Sequence, residues 1–330
     1  MRERKKRNWK NILSMGLFVI LVVILAIYVW ENREDMKQML ALSWETILAL
    51  LLSALGSCLV NCVYHLVIIK TYGIPLTLTD WMGVVSVSNA IAYVLPMRMD
   101  LAFSAGYYKR VSGLPYTKSA SMIAGNIVFG VAFSLLQILA ALLCIGFLDG
   151  AWSGTLWLLW GVGTMALTAF IVLALVFQGR LPAFAQKYAL LRNVMDGFAA
   201  LLRNRAMLLR LLGCLVAGNL CQLLLRMICF RAIGMPVTLY QALFYNSVGW
   251  MIGIVAIVPG NIGISESVMG VATLLMGALF QDGVSVSLLH RASLMAVHLM
   301  MGLIFAFPVY RRFTRGAAET NEPSAAQVDG

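Results

Sequence analysis

The chain of 330 residues is 61% hydrophobic and only 12% charged, with a mean hydropathy of +0.86. Soluble globular domains carry roughly 25% charged residues, so a soluble fold is excluded and a polytopic membrane protein is implied. The net charge of +11 is spread over flanks and short loops; it reads as orientation signal and lipid contact and excludes a nucleic-acid-binding face.

A hydrocarbon core of about 30 Å needs roughly 20 apolar residues to cross it. Such windows fall at about 12 to 30, 44 to 69, 118 to 148, 155 to 177, 207 to 229 and 287 to 310. The first follows the basic run MRERKKRNWK. It is too long for a signal peptide and lacks a small-residue cleavage site, so a retained anchor helix is expected. Trp81 to Leu95 is apolar too, but as a helix it reaches only ~22 Å and is expected to be re-entrant or broken. Between the fourth and fifth windows, LPAFAQKYALLRNVMDGFAALLRNR places Phe184, Tyr188, Leu191, Met195, Phe198 and Leu202 at helical spacing. An amphipathic helix on the cytoplasmic leaflet is expected there, tethering the two halves. The expected organisation is a basic N-terminus, anchor helix and outer loop over 1–40; a first repeat over 41–150, with its re-entrant segment near 81–110; a linking helix and amphipathic segment over 151–206; a second repeat over 207–311, with its re-entrant segment near 239–280; and a polar tail over 312–330.

Lys and Arg in short loops set the sidedness. The N-terminal run, the group Lys70, Lys109, Arg110 and Lys118, the central group from Arg180 to Arg205, and Arg311, Arg312 and Arg315 all belong inside. Six full crossings satisfy these assignments, with both termini cytoplasmic in a plasma membrane. Eight ordinary crossings with short third and seventh helices are the other reading.

Inside this pattern the chain repeats itself. YGIPLTLTDWMGVVSVSNAIAYVLP from Tyr72 and IGMPVTLYQALFYNSVGWMIGIVAIVP from Ile233 share Gly73, Pro75, Thr77 and Leu78 with Gly234, Pro236, Thr238 and Leu239, 161 residues on. Each copy opens with a Gly-x-Pro-x-Thr-Leu turn and breaks at a proline. With six crossings the two copies enter from opposite faces, an inverted-topology pair whose interrupted segments point to a transporter's binding site. Polar breaks at membrane depth are tolerated only where they line protein or a cavity.

The breaks carry the candidate site. In the second, Pro259, Gly260, Asn261 and Gly263 let the backbone turn, Ser265 is expected to cap the following helix, and Glu266 falls in its first turn, where the dipole favours an anion. Glu266 is either solvated at the outer surface or an acid at membrane depth that marks a headgroup or proton site. In the first break, Arg98 and Asp100 diverge if they share a helix but can line one mouth if they sit in a turn. Arg98 suits a phosphate, or else serves as a loop cation paired on the inside. Asn219, Gln222 and Arg226 share one helix face; Arg226 either points inward toward Glu266 or an anionic headgroup, or snorkels to the outer surface. Asn89, Asn126 and Asn246 suit interhelical hydrogen bonds.

His290 and His298 lack a carboxylate at ligand spacing, so no metal is expected. The six cysteines lie in apolar stretches and read as small buried hydrophobes. No nucleotide-binding motif and no cofactor are expected.

The proline break with Arg98, Gly113-Leu114-Pro115, and above all Pro259-Gly260-Asn261-Ile262-Gly263-Ile264-Ser265-Glu266 resemble the transmembrane, flippase-like domain of lysylphosphatidylglycerol synthases, with similarity over most of residues 10 to 312. The resemblance implies an all-α polytopic membrane protein that moves a phospholipid, an aminoacylated one or another lipid-linked group between leaflets, without the family's aminoacyl-transferase domain. The candidate substrate contacts are Arg98, Asp100, Asn126, Arg226, Pro259, Gly260, Asn261, Gly263, Ser265 and Glu266. The partner is a membrane phospholipid with an anionic or cationic headgroup, with a homo-oligomer or a lipid-synthesis partner as further possibilities. Departures are Leu101 and Ser104 where the family commonly has an acid and an arginine, Ala124, Gly125 and Asn126 in place of a Glu-Arg pair, and Ser265 where an arginine is common. Two other readings stand beside it: an intramembrane serine hydrolase built on Gly263-Ile264-Ser265 with His298, and an accessory subunit of a lipid-modifying enzyme.

Overall fold

The computed structural model describes residues 42–70, 77–95, 98–176, 205–254 and 259–321. The expected anchor helix at 12 to 30, the central amphipathic segment, and Gly73, Pro75 and Pro96 lie outside the described residues. All regular structure among the described residues is helical: α1 (Trp44–Lys70), a π-helical turn (Thr79–Gly83), α2 (Val84–Val94), α3 (Met99–Ser112), α4 (Tyr116–Leu148), α5 (Gly154–Val176), α6 (Arg205–Ala232), α7 (Leu239–Ile254), a 3-10 turn (Pro259–Asn261), α8 (Ile264–Leu275) and α9 (Phe280–Asn321).

Four of these, α1, α4, α6 and α9, are long and apolar enough to cross a membrane. Their outward faces carry Leu52, Leu136, Leu209, Leu220, Leu303 and Phe307, all more than half exposed. Apolar side chains turned outward along helices of this length are the surface of a membrane protein. The last crossing begins at Phe280, earlier than the window expected from 287, because the preceding apolar run is split. Gly277 (φ 82°) ends α8, with the Ala278 N–H donating to the Thr273 carbonyl at 2.9 Å. Gly113 (φ 68°) ends α3 in the same way, with the Leu114 N–H on the Tyr108 carbonyl at 3.2 Å. A Cβ would strain both positions.

α2, α3, α7 and α8 hold 11, 14, 16 and 12 residues, or about 16 to 24 Å at 1.5 Å per residue, too short to cross. They form two packed pairs, α2 with α3 and α7 with α8. The shared Thr-Leu of the sequence repeat begins each pair with the same local device. The Asp80 carboxylate accepts from the Thr77 N–H at 2.8 Å and from its hydroxyl at 2.7 Å. In the second copy the Gln241 side-chain oxygen accepts from the Thr238 N–H at 3.0 Å, and the Gln241 N–H returns to the Thr238 hydroxyl at 3.4 Å. A side chain three residues into the helix thus satisfies a donor that the first turn leaves orphaned.

α9 receives both pairs, and small residues let it come close. Gly302 lies against α2, where a Cβ would stand 2.6 Å from Ala90 Cβ. Gly283 lies against α8, where a Cβ would stand 2.3 Å from the Met269 carbonyl oxygen. α1 and α6, the helices that precede the two repeats, share the most extensive contact in the bundle; Gly56 meets Cys221 there, and the Gln222 amide donates to the Ser57 hydroxyl at 2.7 Å. Close approach at small residues and interhelical hydrogen bonds are how helices associate where lipid offers no hydrophobic drive.

Candidate functional site

The two breaks meet. Arg98 takes the left-handed conformation (φ 55°, ψ 39°) between α2 and α3, and its Nη1 donates to the Gly253 carbonyl near the end of α7 at 2.8 Å. Gly260 of the second break sits on Tyr93 of α2, where a Cβ would be 3.3 Å from the ring. The turn at Arg98 also brings its Nε to 3.8 Å from Asp100.

The second break is tied from behind. Asn261 (φ 53°) donates through its side chain to the Ile252 carbonyl at 3.0 Å, and its own carbonyl accepts from Arg291 of α9 at 3.1 Å. Arg291 also pairs with Glu266 at 2.7 Å, while the other Glu266 oxygen accepts the Gly263 N–H at 2.7 Å. Glu266 is 2% exposed, so it is neither solvated nor free; it caps α8 and neutralises Arg291. The cap expected from Ser265 therefore comes from Glu266, because Gly263 occupies the N-cap position. The Ser265 hydroxyl instead pairs with Ser287 at 3.0 Å, and no histidine hydrogen-bonds to it.

A second buried carboxylate lies in the π-helical turn. Asp80 accepts from the Tyr107 hydroxyl at 2.9 Å and pairs with Arg312 of α9 at 3.2 Å, while Arg312 also reaches the Thr77 hydroxyl. The Tyr108 hydroxyl donates to the Asp80 carbonyl at 3.0 Å. Arg291 and Arg312, 21 residues apart on α9, are separated by about 32 Å along the axis.

In front of the second break, α1, α4, α6, α7, α9 and Arg98 surround a cavity of about 420 Å³. Polar side chains on its otherwise largely apolar wall are cross-linked between helices. The Tyr64 hydroxyl donates to Asn126 at 2.7 Å, the Asn246 amide to Asn219 at 2.7 Å, and the Ser247 hydroxyl to Gln137 at 2.7 Å; His290 meets Gln222 at 2.9 Å. Asn126 and Asn246 thus make the interhelical bonds expected of them. The Asn89 amide nitrogen, by contrast, is buried without a partner. Arg226 lines the cavity and is 3% exposed. It neither snorkels nor reaches Glu266, which Arg291 occupies; Gly249 of α7 leaves room for its guanidinium inside the bundle.

Of the residues singled out in the sequence, Arg98, Asn126, Asn219, Gln222, Arg226, Asn246, His290 and His298 line the cavity. Asp100 stands beside Arg98, and Pro259, Gly260, Asn261, Gly263, Ser265 and Glu266 build the break without being among its lining residues. Asp80, Arg291 and Arg312 were missed as a group, along with the cavity positions of His290 and His298. An arginine inside an apolar window and an acid three residues after a repeated threonine were the signals for two of them. Among the described residues no cluster of three His, Cys, Asp or Glu side chains could hold a metal ion.

Among the described residues, an all-helical bundle with an apolar outer surface and four helices long enough to cross a membrane defines a polytopic membrane protein. Residues 11–302 match the family described as the lysylphosphatidylglycerol synthase TM region, and the chain belongs to that family. Membership places its function with membrane lipids. Comparisons with curated proteins and with solved structures give no significant match.

Proposed function

We propose that the protein is a flippase that carries a phospholipid headgroup between leaflets through the cavity, while the acyl chains stay in lipid. The observation that carries this reading is the cavity itself: Arg98, Asn126 and Arg226, with hydrogen-bonding amides and hydroxyls set among apolar side chains, line it inside a bundle whose outer face is apolar. The two pairs of short helices fit re-entrant segments entering from opposite faces and meeting at Arg98 and Gly253, as an inverted repeat requires. Six crossings, cytoplasmic termini and a plasma-membrane location complete the reading. Asp100 sets Arg98, and the segment from Pro259 to Glu266 supports the far end of the site. The partner is a membrane phospholipid, in a single copy of the chain, a homo-oligomer or a complex with a lipid-synthesis enzyme.

The test is translocation of headgroup-labelled phospholipids in proteoliposomes. The expected result is movement well above protein-free vesicles that disappears in Asn61→Trp, a cavity-filling change at a half-buried lining position, with the variant still monodisperse on gel filtration. Wild-type protein that moves no lipid of any headgroup class overturns the proposal.

A further inference from the structure

The cavity holds a cation without a counter-charge. Arg226 takes part in none of the ion pairs among the described residues, which join Arg98 to Asp100, Arg291 to Glu266 and Arg312 to Asp80. Its Nε is buried with no hydrogen-bond partner. The guanidinium is held over Gly249, where a Cβ would come within 2.6 Å of Nη2, and it borders the cavity. A buried charge is costly unless it is paired and hydrogen-bonded, and more so at membrane depth.

The surrounding wall supplies no answer to it. Among the described residues no Asp or Glu lines the cavity. The groups facing Arg226 from the neighbouring helices are neutral amides and hydroxyls, with His290 and His298 on α9 and Arg98 at the break. The acids of the two breaks lie beside other arginines: Asp100 is 3.8 Å from Arg98, and Glu266 pairs with Arg291 at 2.7 Å. A ligand that brings a negative charge answers Arg226 where no described acid does. A planar guanidinium beside amide and hydroxyl donors suits the tetrahedral oxygens of a phosphate. An ammonium-bearing headgroup finds no carboxylate there and meets two arginines.

Resting on the reading of the cavity as a headgroup passage, we infer that its cargo is a phosphate-bearing headgroup of net negative charge, held at Arg226, and that headgroups made cationic by aminoacylation are rejected. Arg98 at the junction of the breaks supplies the second contact.

The experiment uses the purified full-length chain in detergent, following its thermal midpoint and tryptophan fluorescence against short-chain phosphatidylglycerol, lysylphosphatidylglycerol, phosphatidylcholine and inorganic phosphate. Saturable stabilisation by phosphatidylglycerol is expected, weaker by about tenfold to a hundredfold in Arg226→Gln, as for the loss of a charge-assisted contact, and partly restored in Arg226→Lys. Without ligand, Arg226→Met should melt at or above the wild-type temperature, since it removes an unpaired buried cation. A large drop in that midpoint, with phosphatidylglycerol affinity unaltered in Arg226→Gln, makes the arginine purely structural and overturns the inference. Equal or tighter binding of lysylphosphatidylglycerol overturns it as well. Stabilisation by inorganic phosphate alone, with nothing added by the lipid, overturns the lipid headgroup in favour of a free anion. In proteoliposomes the two readings fail separately: movement of cationic lipid only removes this inference and keeps the flippase, whereas anionic lipid that binds at Arg226 but never moves removes the flippase and keeps the site.

Discussion

At the scale of single residues, the breaks combine strained backbone with buried charge. Arg98 and Asn261 are the non-glycine residues with positive φ among those described, one in each break. Asparagine tolerates that region, whereas arginine does so only when its surroundings hold it there; the bond to the Gly253 carbonyl is such a hold. Arg98→Gly should therefore be more stable than Arg98→Ala by about 1 kcal/mol, because both lose the bond and only glycine relieves the strain. Thermal midpoints of the two variants check this, and equal values refute it. The Glu266 and Arg291 pair behaves differently. Removing one partner leaves the other buried and charged, so Arg291→Ala should cost about 3–5 kcal/mol. Adding Glu266→Gln to Arg291→Ala should recover part of that loss, because the neutral amide no longer needs the arginine. A double-mutant cycle on denaturation midpoints reads the coupling, and strictly additive losses would show that the pair contributes nothing.

At the scale of helices, α9 joins the two repeats. It packs α2 at Gly302 and α8 at Gly283, and it presents Arg291 to one buried carboxylate and Arg312 to another. Gly283→Ala should separate α8 from α9, because its Cβ would meet backbone that cannot yield, and a loss of about 1–3 kcal/mol is expected from such overpacking. Gly253→Ala is the control at a glycine with open space around it, and it should be nearly neutral. The four long apolar helices were legible in the sequence because crossing a membrane demands an uninterrupted apolar run. α8 and the start of α9 were less so, since both are apolar and only the left-handed turn at Gly277 divides them.

At the scale of the whole molecule, the proposal of two oppositely oriented repeats makes a direct prediction. Cysteines introduced at Tyr116, just after the α2 and α3 pair, and at Leu279, just after the α7 and α8 pair, should label from opposite faces in a background lacking the native cysteines. Both positions are more than half exposed. Labelling from the same face would sink the inverted arrangement while leaving the family assignment untouched. The sequence by itself determined that this is a helical membrane protein and where four of its long apolar helices run, and it carried the motifs of the family resemblance. These follow from composition and spacing, which the bilayer constrains locally. Only the tertiary structure decided that Glu266 serves Arg291 instead of facing the cavity, that Asp80 and Arg312 form a second buried pair, and that Arg226 faces the cavity with no acid beside it. Those outcomes depend on which distant side chain occupies the space next to each charge; Arg226 and Glu266 are 40 residues apart in the chain, and nothing in their spacing reveals that Arg291 reaches Glu266 first.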